Sequence, residues 1–211
     1  MLGHRLADQF DDHARQDHAY RLGLWTFLAT EVLLFGGLFA VYAAYRVLYP
    51  DGFARAEHDN TIAIGTINTV VLITSSFTVA MALHALRLGR PRASVGLLVV
   101  TIALGVLFLA LKAVEYGVHA SAGVLPGALY RAPRLPGAGP TLFYTLYYFM
   151  TGLHGLHVAA GVGVLAWVAA RTHRRTYTRE DHLPFELATL YWHLVDVIWI
   201  FLWPLFYRLR G

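Results

Sequence analysis

The sequence predicts an all-α integral membrane protein, built as a bundle of five transmembrane helices. Hydrophobic residues make up 57% of its 211 residues, and the mean hydropathy is +0.50. Charged residues account for only 14%, against about 25% in an ordinary soluble domain. Five apolar stretches also reach the length of about 20 residues that a helix needs to cross a bilayer. These observations together indicate a multi-pass membrane protein.

The chain is expected to divide into a polar tail and a membrane domain. Residues 1–21 contain four aspartates, and we interpret them as a solvated, partly helical lead-in. Residues 22–211 form the membrane domain, with spans at about 22–45, 62–86, 95–116, 142–169 and 185–207. Pro50-Asp51-Gly52 predicts a turn after the first span.

The arginines indicate how the chain is oriented. If the N-terminus faces the cytoplasm, the inner segments carry ten arginines and the outer segments six. Arginine-rich loops stay in the cytoplasm, so we expect a cytoplasmic N-terminus and a periplasmic C-terminus. The net charge of +4 resides in these loops and forms no basic face for nucleic acid. The lack of cysteine excludes a disulfide framework and a cysteine-ligated metal.

Ionisable side chains in four of the five predicted spans are candidates for a site. Such groups are costly at membrane depth, and they mark either a functional site or a tightly paired contact. They are Glu31 in the first span, Lys112 and Glu115 in the third, His154 and His157 in the fourth, and Glu186, His193 and Asp196 in the fifth.

Three of these groups share one face of the fifth span. His193 and Asp196 are three residues apart, and Glu186 lies two turns before His193. At a rise of about 1.5 Å per residue, Glu31 and Asp196 both lie about 15 Å from the inner ends of their spans, and His157 is also near mid-membrane. We therefore expect one polar layer, in which His193 and Asp196 face the first and fourth spans and find hydrogen-bond partners there.

Two further patterns predict helix contacts. Lys112 and Glu115 can pair on one helix face and, being near the end of their span, can reach towards water. The fourth span carries small residues at every fourth position, a stripe that lets another helix approach closely. Its members are Thr151, Gly155, Ala159 and Gly163.

Four interpretations of the buried polar groups are open at this point. Histidine and carboxylate side chains are suitable metal ligands, although His154 and His157 do not form an HExxH pattern. Two inward histidines at matching depth could hold a haem. The groups could instead hydrogen-bond one another and lock helices together, or form a proton or ion path.

Two longer motifs resemble subunit III of the haem-copper oxidases. Residues 151–158, Thr-Gly-Leu-His-Gly-Leu-His-Val, are similar to the family's Thr-Gly-x-His-Gly-x-His-Val. Residues 191–199, Tyr-Trp-His-Leu-Val-Asp-Val-Ile-Trp, are similar to its Tyr-Trp-His-x-Val-Asp-x-x-Trp. Further matches lie at residues 25–35, 67–76 and 111–116. The resemblance therefore extends from about Trp25 to Tyr207 and covers most of the chain.

The resemblance implies an accessory subunit of cytochrome c oxidase rather than a catalytic one. Subunit III binds no haem or copper, which reside in partner subunits. It contacts subunit I directly, in a complex with subunit II and small subunits that can join a respiratory supercomplex. It stabilises subunit I, holds phospholipid and supports proton uptake in aerobic respiration. By this resemblance the chain has no catalytic or metal-ligating residues, Glu31 is the carbodiimide-reactive carboxylate, and the other buried ionisable groups lock helices together.

The resemblance also points to residues that contact lipid or carry protons. Trp25, Trp192, Trp199 and Arg171 are the candidates for phospholipid contact in the bacterial cytoplasmic membrane. Histidine titrates near neutral pH, so the histidines of the predicted inner surface are candidates for relaying protons. They are His4, His13, His18, His173 and His182.

Related functions stay open. This chain has five predicted spans, whereas mitochondrial-type members have seven, so a full lipid cleft is not implied. Five spans also occur in quinol oxidase subunit III and in the subunit-III-like protein associated with nitric oxide reductase. The ending at residues 199–207, Trp-Ile-Phe-Leu-Trp-Pro-Leu-Phe-Tyr, favours the cytochrome c oxidase form. A stand-alone membrane enzyme or transporter, using the layer of Glu31, His157 and Asp196, is the alternative from another class.

Overall fold

The structure is a computed structural model that describes residues 8–60 and 62–207. Within these ranges every regular element is helical. The helices are α1 (His13–Leu48), α2 (Pro50–Asp59), α3 (Ile62–Arg87), α4 (Pro91–Ser121), α5 (Ala138–His173) and α6 (Leu183–Tyr207), with a short 3₁₀ turn at Gly127–Leu129. Five of them, α1 and α3 to α6, are long and apolar enough to cross a membrane, as predicted.

Helix α1 begins inside the predicted polar tail. The Asp12 side chain accepts a hydrogen bond from the backbone N–H of Arg15 at 2.7 Å. Such a cap satisfies an amide that the first helical turn would otherwise leave unpaired. The second half of the predicted tail is therefore a direct extension of the first transmembrane helix, while His4 lies outside the described residues.

The predicted turn at residues 50–52 is wrong, because these residues begin helix α2. Pro50 occupies the first turn of α2, where its missing N–H costs no hydrogen bond. Gly52 packs so closely on α5 that a Cβ on Gly52 would lie 2.8 Å from the Gly139 Cα. This glycine therefore serves a close approach between helices rather than a turn.

Helices α3, α4, α5 and α6 form a closed four-helix ring. Each packs against the next one in the chain, and α3 also packs against α6, which closes the ring. Helix α1 lies outside the ring against α5 and α6, and α2 packs on α5. We call the end of the bundle where α1 begins the inner end, and the opposite end the outer end. The first, fourth and fifth spans adjoin, as the predicted polar layer requires.

Trp192 of α6 fills the centre of the ring. A Cβ on Gly105 of α4 or on Gly161 of α5 would lie 2.8 Å from its indole, so only glycine leaves room there. The predicted stripe of small residues on α5 does not make this close contact. Ala159 and Gly163 are exposed, and a Cβ on Gly163 would meet nothing within 4 Å. Gly161 lies on the opposite face of α5 and makes the close approach instead.

Helix α1 is much less enclosed than the ring. Its buried side chains include Leu28, Phe35 and Tyr42, which repeat every seven residues, while the opposite face is exposed. In the most apolar part of α1 17% of the residues are buried, against 50% in α6. The molecule therefore has two regions, a closed ring and one helix attached to its side.

Candidate functional site

Glu31 of α1 and His157 of α5 meet in the middle of the predicted membrane layer. The Glu31 Oε2 atom lies 2.8 Å from the His157 Nε2 atom. Both side chains are largely buried, and the ring of Phe35 meets that of His157 edge-on, at 5.6 Å between centroids. This contact attaches α1 to the ring at mid-membrane depth.

His157 also hydrogen-bonds its own helix. The His157 Nδ1 atom lies 2.8 Å from the Leu153 carbonyl oxygen, and because a carbonyl can only accept, Nδ1 is the donor. The Glu31 Oε2 atom is close to His157 Nε2 but does not reach hydrogen-bond geometry with a described residue. Glu31 and His157 therefore form a close polar contact between α1 and α5.

A second contact attaches the outer end of α1 to α2 and α6. The Tyr42 hydroxyl lies 2.9 Å from Glu57 Oε1 and also hydrogen-bonds the Leu205 carbonyl oxygen. Arg46 pairs with the same carboxylate. Burial raises the pKa of the Glu57 carboxyl, while its contacts with Arg46 and Tyr42 act in the opposite direction. The sequence analysis missed Glu57, because its segment was predicted to be a loop.

A third contact lies at the inner end and involves Glu186. This carboxylate accepts from Arg21 of α1 at 3.1 Å and from Arg87 of α3 at 2.5 Å. The His182 Nε2 atom lies 3.1 Å from the same carboxylate. Both arginines are exposed. Glu186 therefore joins α1, α3 and α6 at the rim of the bundle and does not belong to a mid-membrane layer.

Lys112 and Glu115 form a pair, as their spacing predicts, but deep in the ring. Lys112 is 5% exposed and Glu115 1%. The Lys112 Nζ atom donates to Glu115 Oε2 at 2.9 Å, to Tyr147 OH at 2.8 Å and to Tyr207 OH at 3.2 Å, which uses all three of its protons. Tyr207 donates in turn to Glu115 Oε1 at 2.6 Å. The prediction that these side chains reach towards water is wrong, because the tyrosines provide polar partners inside the protein.

His193 and Asp196 do not face the first and fourth spans, so that prediction is wrong. The His193 Nδ1 atom lies 2.6 Å from the Ser76 hydroxyl of α3. The Asp196 carboxyl also interacts with Ser76, but neither of its oxygens reaches hydrogen-bond geometry with a described residue. The predicted common face does exist, since Glu186 and His193 both contact α3. At His193 and Asp196 this face is directed at α3 rather than at α1 and α5, whereas Glu186 contacts both α3 and α1.

His154 of α5 is fully buried, and neither ring nitrogen has a hydrogen-bond partner among the described residues. Its ring stacks on the Trp199 indole at 5.2 Å and meets Phe108 edge-on at 5.5 Å. The expectation that His154 forms a polar lock between helices is therefore wrong. Asn68 of α3, which is not among the predicted site residues, is also fully buried with both amide atoms unpaired within the described part of the chain.

The geometry separates the candidate metal ligands instead of gathering them. Among residues 8–60 and 62–207, no group of three histidine, cysteine, aspartate or glutamate side chains is placed to hold a metal ion. The two histidines of α5 point to different helices: His157 contacts Glu31 of α1, and His154 contacts Trp199 of α6. The arrangement favours contacts between helices over a ligand set.

Two of the four predicted lipid contacts are enclosed by protein. Trp192 and Trp199 are buried, and their Nε1 atoms donate to hydroxyls of α3, each at 3.1 Å. Their prediction as lipid contacts is therefore wrong. Trp25 and Arg171 are exposed, and the Arg171 guanidinium lies over the Trp167 ring at 5.3 Å.

An apolar groove lies between α1, α5 and α6 in the inner half of the bundle. Its volume is about 410 Å³, and its walls include Phe27 of α1, Val164 of α5 and Tyr191 of α6. Trp167 and Arg171 follow Val164 by three and seven residues, so they continue the same face of α5 towards the inner end. Arg171 therefore lies two turns beyond the groove's Val164 on the same face of α5, without lining the groove itself.

The chain is similar to one described protein family over nearly its whole length. A profile of the family described as cytochrome c oxidase subunit III matches residues 9–210. The cytochrome c oxidase subunit 3 of Thermostichus vulcanus is 35% identical over 200 residues, which cover 94% of this chain and 92% of the relative. The protein of the same name from Synechocystis is 32% identical over 188 residues, or 89% and 74% of the two chains. That of Scyliorhinus canicula is 35% identical over 193 residues, or 89% and 68%.

Proposed function

The chain belongs to the cytochrome c oxidase subunit III family, and on that premise we propose that it is an accessory, non-catalytic subunit of a proton-pumping terminal oxidase. Haem and copper lie in partner subunits, with subunit I in direct contact and subunit II and small subunits in the same complex. The observation that supports this most directly is that the ionisable side chains contact other protein side chains. Glu31 contacts His157 and Glu186 contacts Arg87, each on another helix, while Lys112 pairs with Glu115 on its own helix.

Purification through a tag on this chain tests the proposal. We expect haem and copper to co-purify, in a complex that consumes oxygen with reduced cytochrome c. A complex without this chain should keep its haem spectrum and its initial rate, but lose activity faster during turnover. Loss of the haem spectrum on removal, or stoichiometric metal on the isolated chain, would contradict the accessory role and favour a stand-alone enzyme. Turnover with quinol or nitric oxide instead of cytochrome c would favour the related complexes.

We further propose that the chain lies in a bacterial cytoplasmic membrane, with residues 1–21 in the cytoplasm and the C-terminus in the periplasm. The arginine count supports this orientation, and the exposed arginines of the Glu186 contact lie at the same inner end. Single cysteines at Leu88 and Leu129 test it, because both positions are exposed between helices at opposite ends of the bundle. An impermeant thiol reagent added to intact cells should label the cysteine at position 129 and not the one at position 88.

The groove between α1, α5 and α6 supports a role in holding phospholipid. Its apolar walls suit an acyl chain, and the exposed Arg171, two turns beyond Val164 on the same face of α5, suits an anionic headgroup. Replacing Arg171 by glutamine should lower the amount of anionic phospholipid that co-purifies, measured by mass spectrometry of extracted lipid. Arg179→Gln, in the exposed loop before α6, is the matched control. Equal lipid content in both variants would contradict this assignment.

The inner surface supports a role in proton supply. His13, His18 and His173 are exposed there, and histidine exchanges protons near neutral pH. Replacing the three together by glutamine should slow proton uptake by the complex. Unchanged uptake rates would contradict the proposal without affecting the family assignment.

A further inference from the structure

His182 lies directly before α6 and meets a cation and an anion through one ring nitrogen. Its Nε2 atom accepts a hydrogen bond from Arg87 Nε of α3 at 3.3 Å and lies 3.1 Å from Glu186 Oε1. Its side chain is largely buried, at 15% exposure. We propose that His182 makes the contact between α3 and α6 sensitive to pH. Neutral His182 holds Arg87 in place, and protonated His182 replaces Arg87 on the Glu186 carboxylate.

The hydrogen bond from Arg87 forms only while His182 is neutral. A guanidinium can only donate, so the Nε2 atom that receives it carries no proton, and the ring proton is on Nδ1. The Nη2 atom of Arg87 donates at the same time to Glu186 Oε1, at 2.5 Å. The guanidinium therefore bridges two side chains of the α6 segment and joins both of them to α3.

Protonation of His182 reverses the role of Nε2. The charged imidazole carries a proton on each nitrogen, so Nε2 can no longer accept from Arg87. It can donate instead to Glu186 Oε1, the same oxygen that Arg87 contacts. Nδ1 is protonated in both states, so only the role of Nε2 changes. Because like charges repel, the two cations then compete for one carboxylate oxygen.

The two competing pairs join different parts of the chain. His182 and Glu186 are four residues apart, so their pair is local to the beginning of α6. The pair of Arg87 with Glu186 connects two helices that are distant in sequence. When the carboxylate exchanges Arg87 for His182, a contact between helices is lost and a contact within one segment is gained. We therefore expect protonation to release the inner end of α3 from α6.

The other charged groups at this end leave His182 as the group that changes. Arg21 of α1 donates to the second oxygen of Glu186 at 3.1 Å, so protonated His182 adds a third cation to one carboxylate. Further titratable side chains lie within one turn of these residues in the chain. They are Asp17 of α1, His84 of α3 and Asp181 before His182. Aspartate and glutamate of ordinary pKa stay ionised above about pH 5.5, whereas histidine changes charge between about pH 5 and 8. His84 is therefore the residue to control for.

Structures of the complex that co-purifies with this chain, at about pH 8 and about pH 5.5, test the proposal. At the higher pH we expect Arg87 on both His182 and Glu186. At the lower pH we expect His182 Nε2 on Glu186, with Arg87 displaced. In His182→Gln, which does not titrate, Arg87 should stay on Glu186 at both pH values. His84→Gln is the matched control and should behave like the parent. An Arg87 that keeps its place in the parent at both pH values, or moves equally in His182→Gln, overturns the proposal.

Thermal midpoints of the same complex give a second measurement. Arg87→Gln and Glu186→Gln, alone and together, measure how strongly these two side chains are coupled. The coupling should be present at about pH 8 and lost at about pH 5.5, and it should be equal at both in the His182→Gln background. A coupling that does not change with pH in the parent contradicts the proposal. Both measurements report contacts within this chain, so they do not depend on which substrate the complex oxidises.

Discussion

The four-helix ring and helix α1 both place charged groups at membrane depth, but they are held together differently. In the ring, Trp192 fills a space that only glycine at positions 105 and 161 leaves open, and the Lys112 pair is enclosed on all sides. Helix α1 has mostly exposed side chains. It is attached at three depths by polar contacts, from Arg21 to Glu186, from Glu31 to His157, and from Tyr42 to Glu57.

The difference shows how burial determines how much stability is lost when one partner of a polar contact is removed. Removing one member of an enclosed pair leaves its partner charged in a medium where it cannot be solvated, which costs far more than the pair contributed. Removing one member of a pair that water or lipid headgroups can reach costs much less stability, because solvent replaces the missing partner. We therefore expect a change in the ring to destabilise the chain strongly, and a change in a single contact of α1 to have a smaller effect.

The largest effect is expected in the ring, from Lys112→Met. This change leaves the Glu115 carboxylate buried, with hydroxyls only, and should destabilise the folded chain by about 3–5 kcal/mol. The measurement is the denaturant or temperature midpoint at which the chain leaves its complex. The double variant Lys112→Met with Glu115→Gln removes both charges and should recover a large part of the loss. A single variant as stable as the parent would show that the pair is not enclosed.

Packing in the ring predicts the next largest effect. Gly161→Val drives a side chain into the Trp192 indole and should cost about 1–3 kcal/mol, the usual range for an overfilled core. Gly163→Val is the matched control, because nothing lies within 4 Å of its Cβ position. The two variants should differ in thermal midpoint by several degrees. Equal midpoints would mean that the indole does not occupy the space beside Gly161.

The middle attachment of α1 sharpens the comparison through two variants of one residue. Glu31→Leu removes the polar group that lies 2.8 Å from His157 Nε2 and should cost about 1–3 kcal/mol. Glu31→Gln keeps a polar group of the same shape at this position, so it should cost less than about 1 kcal/mol. Thermal midpoints measure the costs. If the two variants are equally unstable, the polar contact with His157 is not what holds α1 there.

The smallest effect is expected at the inner attachment. Arg21→Gln removes one of two exposed arginines on Glu186, and such a pair is worth about 0–1 kcal/mol. The difference from the parent should shrink as ionic strength rises, because salt at about 0.1 M screens charges beyond about 10 Å. Midpoints at low and high salt measure it. A large loss that does not depend on salt would show that this contact behaves like the enclosed pair in the ring.

Features that depend on one helix were predictable from the sequence. The number of spans follows from apolar length, and the pairing of Lys112 with Glu115 follows from a spacing of three residues. The common depth of Glu31 and His157 also followed from their positions within their own spans, whereas their contact was not predicted.

Features that depend on how helices rotate about their axes were not predictable. His193 and Asp196 do share a face, but only packing decides that this face meets Ser76 of α3. Tyr147 and Tyr207 look like ordinary apolar positions until the fold brings both hydroxyls to Lys112. The stripe of small residues through Gly163 has the right period for a close helix contact. The close contact is made instead by Gly161, because the face of α5 that carries Gly161 meets the indole of Trp192.

The length of helix α1 has a mechanical consequence. The helix is continuous over 36 residues, or about 54 Å, whereas the hydrocarbon core of a bilayer is about 30 Å thick. Its inner turns therefore stand out from the membrane as a stiff rod instead of a loose tail. The rod is held at its outer end by Tyr42 and nearer its inner end by Arg21, which pairs with Glu186, and Glu31 lies between these two contacts. A partner that pushes on the inner turns would act on the Arg21 contact and on the position of the Glu31 carboxyl beside His157.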